Sequence, residues 1–385
     1  MKAFISSAPP TPLHTSQPSR NDSQTMKTIL CLLLCISSMA IMSLAVAADV
    51  VLKFKDPKPQ SYQLTARASE LDSRCRSYTE IDNIFVSKPD KSGKPADLQN
   101  ASVDTRVAPR GQLVLWLMGH NQIQADLLNS YGLHYIQVWY ARDWFSKLNT
   151  EPADDTQHLG NIRLEATTGI DASKAIDVPV ADSMQEHAYQ FVKSLAKTHP
   201  QGRWETFLSK DGTTLNWEKV IVAGASHGAT SAARFGLQQK VARVVMHCGP
   251  RDNADDWQAL PSATPKNRFF GYSHVLDAGW TADHYERSWL LMGLNKFGPI
   301  VNTESEKPPF GHTRRLISDA ALKGTPKEQA DRGHGYVTPS KGSPRDAKGK
   351  FAQDAVWRYL YTSSVDEIGK AVAPETGVKM DQRKK

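Results

Sequence analysis

Apolar residues along this chain gather into short runs, and the spacing inside those runs alternates between two periods. Residues 113–117 (Leu-Val-Leu-Trp-Leu) are an unbroken apolar run, the pattern of a strand buried on both faces. Residues 135–139, 220–223, 241–246, 268–272 and 313–317 read as further strands. Between them the spacing becomes helical. Ile123, Leu127 and Leu128 share one side of a short segment that Gly132 breaks. Met184, Ala188, Phe191, Val192 and Leu195 form a second stripe, with Asp182 placed to cap it and His199-Pro200-Gln201-Gly202 to stop it. Residues 229–237 predict a small-residue helix, and Ala355, Val356, Tyr359 and Leu360 a closing amphipathic one. Crossovers of helical length favour parallel, right-handed pairing. The prediction is therefore an α/β fold: an open, mostly parallel sheet with helices on both faces.

Three stretches interrupt this rhythm. Residues 50–110 carry short β-like runs at 50–54 and 84–87, broken by Pro and Lys, and predict an opening hairpin region. Residues 141–180 are polar and too long for a simple connection, so they are expected to decorate one end of the sheet. An insertion at 279–311 holds Trp280, Tyr285, Trp289, Leu290, Leu291 and Phe297. Trp280 and Trp289 are candidates for a substrate pocket, and packing onto the core is the other reading of the same residues.

The N-terminus reads as targeting. Residues 1–25 are polar and rich in Ser, Pro and Thr; Met26-Lys27 opens a positive region; an apolar run spans 29–46; and Ala45-Val46-Ala47-Ala48 supplies an Ala-x-Ala exit. We expect residues 1–48 to be a leader, 49–385 to be a single domain, and the mature protein to be secreted or periplasmic without stable membrane insertion. An uncleaved anchor is the competing reading, since about 18 apolar residues nearly span a bilayer. Removing Lys2, Arg20, Lys27 and Asp22 with the leader leaves +5 of the formal +7. Basic residues are otherwise interspersed with acidic ones, apart from the tail Arg383-Lys384-Lys385, so no nucleic-acid partner is expected. Cys75 and Cys248 are the two cysteines beyond the leader; whether they pair is open at this level.

The chemistry begins at Gly224-Ala225-Ser226-His227-Gly228, directly after the apolar run at 220–223. A serine hydroxyl needs a base to take its proton during attack, and a sharp strand-to-helix turn lifts it clear of the sheet. The glycines two residues either side leave room for that turn. No Lys-Ser/Thr follows them, which argues against a phosphate loop.

From about residue 113 to 361 the chain resembles the α/β-hydrolase superfamily, and within it exported bacterial serine hydrolases of esterase or lipase type. The resemblance lies in Leu115-Trp116-Leu117-Met118-Gly119-His120, the serine turn, Phe269-Phe270-Gly271-Tyr272-Ser273-His274-Val275-Leu276-Asp277, and Gly333-His334-Gly335. It implies the order Ser, acid, His. Ser226 is then the nucleophile, and His334, expected on a glycine-flanked loop, the base, with His312 and His274 as rivals. Asp277 is the acid, with Asp252 and Asp283 as alternatives. The backbone N–H groups of His227 and His120 are the candidate oxyanion donors, although Met118-Gly119 replaces the His-Gly of many members. No cofactor is implied, and no dense ligand cluster suggests a metal. The resemblance implies hydrolysis of a small-molecule or polymer-linked ester through an acyl-enzyme. The rival from another class is a non-catalytic exported binding protein on the same fold.

Overall fold

The apolar runs become strands of one nine-stranded sheet, ordered β1-β2-β4-β3-β5-β6-β7-β9-β8. The strands are β1 (Ser61–Arg67), β2 (Leu98–Asp104), β3 (Leu113–Trp116), β4 (His134–Gln137), β5 (Val220–Ala225), β6 (Arg243–His247), β7 (Phe269–His274), β8 (Ile300–Asn302) and β9 (Arg315–Ser318). The computed structural model describes residues 52–75, 97–141, 155–252 and 257–380. The expected leader, the run at 84–87, residues 142–154 of the first insertion and the basic tail lie outside the described residues.

Pairing is antiparallel at β1–β2 and β2–β4 and parallel across every pair from β4 to β8. Every residue of β3, β4, β6 and β7 is buried, which requires cover on both sheet faces. The cover comes from α2 (Gln122–Ser130), α3 (His158–Thr168), α4 (Met184–Thr198), α5 (His227–Gln238) and α9 (Asp354–Thr362). Four shorter elements complete the set: α1 (Ala68–Leu71), α6 (Ala278–Thr281), α7 (His284–Leu291) and α8 (Pro326–Tyr336). This is the expected architecture: an open, mostly parallel sheet with helices on both faces.

The order also locates a crevice. From β3 the chain crosses one way to β4, then returns to place β5 on the other side of β3. Open α/β sheets leave a cleft at the carboxyl ends of strands where such a reversal occurs. Here those ends carry Leu117 to His120 after β3 and the Ser226 turn after β5.

Four expectations need correction. Of the run at 50–54, the described residues Leu52 to Phe54 lie outside any strand, and the antiparallel pair is β1 with β2, Ser61 opposite Asp104. Those strands hide in polar sequence because β1 is only half-buried, at alternate residues, and β2 reads Leu-Gln-Asn-Ala-Ser-Val-Asp. Asp182 does not cap α4; Ser183 does, its hydroxyl accepting from Glu186 N. The described part of the 141–180 insertion is no surface decoration, because α3 is almost wholly buried. Its polar residues are internally satisfied: the Glu165 carboxylate accepts from the backbone N–H groups of Ala172, Ser173 and Val178.

The fourth correction concerns Trp289. It is fully enclosed, its indole donates to Gly249 O at 3.0 Å, and its ring fills the space over Gly271 of β7, where a Cβ would come within 2.5 Å. Trp289 therefore packs the core behind the crevice, while Trp280 is half-buried with its ring 5.7 Å from that of Trp289. Trp289→Ala is expected to cost about 3–5 kcal/mol of unfolding free energy. Urea denaturation with an unchanged m-value checks this, and Trp280→Ala should cost clearly less.

Candidate active site

Ser226 sits between β5 and α5 with φ 54° and ψ −118°, a conformation that a non-glycine residue adopts only when its surroundings enforce it. The enforcement is visible. Ser226 N donates to His247 O at 2.9 Å, and Ser226 O accepts from both Thr230 N and Thr230 Oγ. Gly224 and Gly228 meet so closely that a Cβ on Gly224 would lie 2.2 Å from the Gly228 carbonyl carbon. A Cβ on Gly228 would lie 2.5 Å from Leu117 O. The serine turn is thus locked against the loop that follows β3.

That loop holds the second candidate donor. Trp116 Nε1 donates to Gly119 O at 3.1 Å. Because the peptide is trans and planar, the His120 N–H points opposite to that carbonyl, away from the indole. The His120 ring is exposed and pairs with Gln122 Oε1 at 3.0 Å. The His227 N–H stands at the first turn of α5, where the helix dipole favours negative charge.

Asp277 caps α6 just beyond β7. It is almost completely buried, and its Oδ1 accepts from Gly279 N at 2.7 Å and from Tyr285 Oη at 2.9 Å. Its Oδ2 accepts from His334 Nδ1 at 2.6 Å. Burial pushes this carboxyl up, but the His334 hydrogen bond and charge, with the Gly279 N–H, more than offset it and hold the group below the usual carboxylate range. With its proton on Nδ1, the His334 imidazole presents Nε2 as a lone pair. His334 lies near the end of α8, on a helix and not on the expected loop. Gly333 matters for a different reason from the expected one: a Cβ there would come within 3.1 Å of Asp277 N. Close approach of helix to loop, not tight turning, demands the glycine.

The rivals are occupied elsewhere. His274 Nδ1 accepts from Leu276 N and Nε2 donates to Ala320 O, so both ring nitrogens serve local backbone. His312 pairs with Glu367 at 3.6 Å. Asp283 precedes α7 and accepts from Lys379 N. Asp252 is clasped by Arg163 of α3 through two bonds of 2.6 Å and accepts from Trp257 Nε1 at 3.0 Å.

Residues 247–249 connect the two halves of the site. His247 O holds Ser226 N, Gly249 packs against the Ser226 carbonyl, and the Cys248 thiol donates to His334 O at 3.1 Å. Burial, with Asp277 close by, keeps Cys248 a neutral thiol. Cys75 and Cys248 are both free, which answers the question of pairing. Ser226 Oγ makes no hydrogen bond to His334; catalytic contacts of this kind are often long until substrate binds.

Sequence reasoning missed Arg163, and it named Tyr285 and Cys248 without their bonds to Asp277 and to His334 O. Arg163 is fully buried and reaches Asp252, Ser231 Oγ, His227 O and His227 Nδ1. Burial first, then the Arg163 charge, lower His227 to about 3, so its ring stays neutral beside the serine. An arginine inside a polar stretch gives no sign in sequence that it points inward.

No family model matches the chain, and no curated protein matches it. Solved structures give weak likenesses. A phosphonate-inhibited esterase B from Lactobacillus rhamnosis is 12% identical over 68% of this chain and 78% of its own, with a TM-score of 0.28. An acetyl ester-xyloside bifunctional hydrolase from Caldicellulosiruptor lactoaceticus is 9% identical over 64% and 87%, with a TM-score of 0.30. An S-formylglutathione hydrolase from Staphylococcus aureus is 12% identical over 48% and 56%, with a TM-score of 0.23.

Asp252 and Asp277 should separate by what they damage. Asp252→Asn breaks a buried ion pair and should lower stability by about 3–5 kcal/mol. Asp277→Asn should leave the protein folded and remove the orienting acceptor of His334. Denaturant melts and imidazole NMR on both variants check the split. A wild-type Nδ1–H signal persisting in Asp277→Asn would overturn it.

Proposed function

We propose that this chain is a serine hydrolase that cleaves carboxylic esters through an acyl-enzyme, with Ser226 as nucleophile, His334 as base and Asp277 as acid. The observation that carries this reading is the His334–Asp277 bond, made to a buried carboxylate on the same sheet edge as the strained serine turn. Ser226 Oγ attacks the ester carbonyl carbon while His334 Nε2 takes the hydroxyl proton. The resulting oxyanion is met by the His227 and His120 N–H groups, each worth about 2.7–4 kcal/mol where such donors have been removed elsewhere. Collapse breaks the carbon–oxygen bond, and the alcohol leaves with the proton from His334. A water then attacks the acyl-serine with the same histidine as base, releasing the acid and restoring Ser226.

In sequence neither the 141–180 nor the 279–311 insertion carries a long apolar run suited to a lipid interface, and this supports a soluble or carbohydrate-linked ester over triglyceride as substrate. We further propose export with removal of residues 1–48, for which the Ala-x-Ala exit is the support. Envelope or medium protein should begin at Ala48 or Asp49, and an intact Met1 or Met26 there counts against cleavage.

The mechanism predicts that Ser226→Ala, His334→Ala and the double variant lose nearly equal activity, on the order of 10⁴–10⁶ in turnover, because the two residues act as one unit. A fluorophosphonate should label Ser226 in wild type alone. Activity on p-nitrophenyl esters should rise with pH along one acid limb, since only neutral imidazole accepts the proton. Asp277, held below the usual carboxylate range, stays ionised throughout that limb. Undiminished turnover in Ser226→Ala would sink the mechanism. A folded wild type that neither turns over esters nor takes the label would favour a binding protein instead.

A further inference from the structure

A second set of donor side chains shares no residue with the proposed catalytic group. Cys75 follows α1, while Asp182 and His187 lie either side of the Ser183 cap that begins α4. One donor atom from each of the three lies within 4.8 Å of the others. Asp182 and His187 are buried, and Cys75 is half-buried.

The histidine is oriented before any ligand arrives. His187 Nδ1 donates to Trp139 O at 2.7 Å, an oxygen that can only accept. The proton therefore resides on Nδ1, and the Nε2 lone pair faces Cys75 Sγ at 3.5 Å. Metal-binding imidazoles are held in this manner, with the distal N–H spent on a carbonyl or carboxylate. A tetrahedral zinc with Zn–S near 2.3 Å and Zn–N near 2.0–2.1 Å separates its sulfur and nitrogen ligands by about 3.5 Å. The observed separation is that distance.

The neighbouring charges fit a cation as well. Asp72 is engaged by Arg74, and Asp97 by Arg67 and Ser69 N, so both supply negative field while serving other partners. Burial, then Asp182, Asp72 and Asp97, push the Cys75 thiol up to about 12. The protonated thiol has three acceptors within reach: Ala68 O, Ala181 O and the His187 Nε2 lone pair. The same surroundings that oppose a bare thiolate favour one paired with a divalent ion.

We propose that Cys75, Asp182 and His187 form a zinc site. Binding exchanges the thiol proton for metal: Cys75 releases one proton to solvent, and its sulfur, the His187 Nε2 lone pair and one Asp182 oxygen become ligands. The half-exposed cysteine leaves a fourth position for water. Thiolate with imidazole selects zinc over the hard cations magnesium and calcium. The ion ties the chain at Cys75 to the start of α4, so its role is to stabilise this junction.

The test is a zinc competition titration of chelator-stripped, purified protein against a chromophoric chelator. Wild type should hold one equivalent. His187→Gln and Asp182→Asn should each weaken binding by about 10–100-fold, and Cys75→Ser should bind most weakly, with circular dichroism confirming that each variant is folded. Two measurements need no variant. Cobalt should produce a thiolate-to-metal charge-transfer band, and zinc should slow alkylation of Cys75 by at least about tenfold, since the bound thiolate is no longer free to attack. Fully buried Cys248 is the internal control. Wild type that takes up no zinc, or a Cys75→Ser variant that takes it up equally, overturns the proposal, as does cobalt bound without the sulfur band.

Discussion

The site depends on holding one backbone unit, Ser226, in a conformation it would not choose. A non-glycine residue at φ 54° costs on the order of 1–3 kcal/mol, and the neighbouring structure supplies that energy through ordinary packing. The Ser226 amide is fixed to β6 and its carbonyl to Thr230. Gly224 and Gly228 allow strand and helix to meet at a separation no side chain would permit. Relaxing the turn would require moving β5, β6 and α5 together. The hydroxyl is therefore presented at the switch point of the sheet by closely packed strand and helix, not by a loop of its own.

The electrostatics follow from where buried charge is already balanced. Two aspartates lie near the turn, and the structure assigns them different partners. Asp252 faces a permanently charged guanidinium that holds it in two bonds, and its third bond comes from the Trp257 indole, not from an imidazole. Asp277 faces a group whose charge can change, and its other oxygen is occupied by two neutral donors. In the proposed mechanism a carboxylate so placed favours the imidazolium that would form as His334 takes the serine proton. His227 is kept neutral by burial and Arg163, so the positive potential at the start of α5 comes from the backbone dipole and the Arg163 guanidinium, not from a titrating ring.

How much of this could be read from sequence depends on whether the controlling interaction is local. The parallel strands were legible because burial on both faces leaves continuous apolar runs. The serine turn was legible because its glycines are a steric necessity at fixed spacing. Asp277 and His334 followed from their order along the chain, but the helix under His334 did not, since Gly-His-Gly suggests a loop and only the approach of Asp277 explains Gly333. Strands β1 and β2 escaped because one is half-exposed and the other mostly polar. Helix α3 escaped because its polar groups are satisfied inside the fold, Arg163 by Asp252 from far along the chain and Glu165 by backbone N–H groups of the loop that follows. Trp289 shows the opposite limit: an aromatic in an insertion looks the same whether it lines a cleft or fills the core behind one.

The parts of the site arrive from distant segments, so something must fix their relative positions, and the hydrogen bonds identify what does. The Asn121 side chain caps α2 through Oδ1 to Gln124 N and donates through Nδ2 to Pro339 O at 2.7 Å. One amide thus joins the loop carrying the His120 N–H to the chain just beyond His334. Trp357 of α9 donates to Val337 O at 2.8 Å, and Cys248 to His334 O. The end of α8 and the chain beyond it are held at once from the cap of α2, from the residue after β6 and from α9. A half-buried histidine on a solvent-facing helix would otherwise move with that helix. These three contacts give it the frame of the sheet instead, so that its distance to Ser226 is set by the same strands that strain the serine.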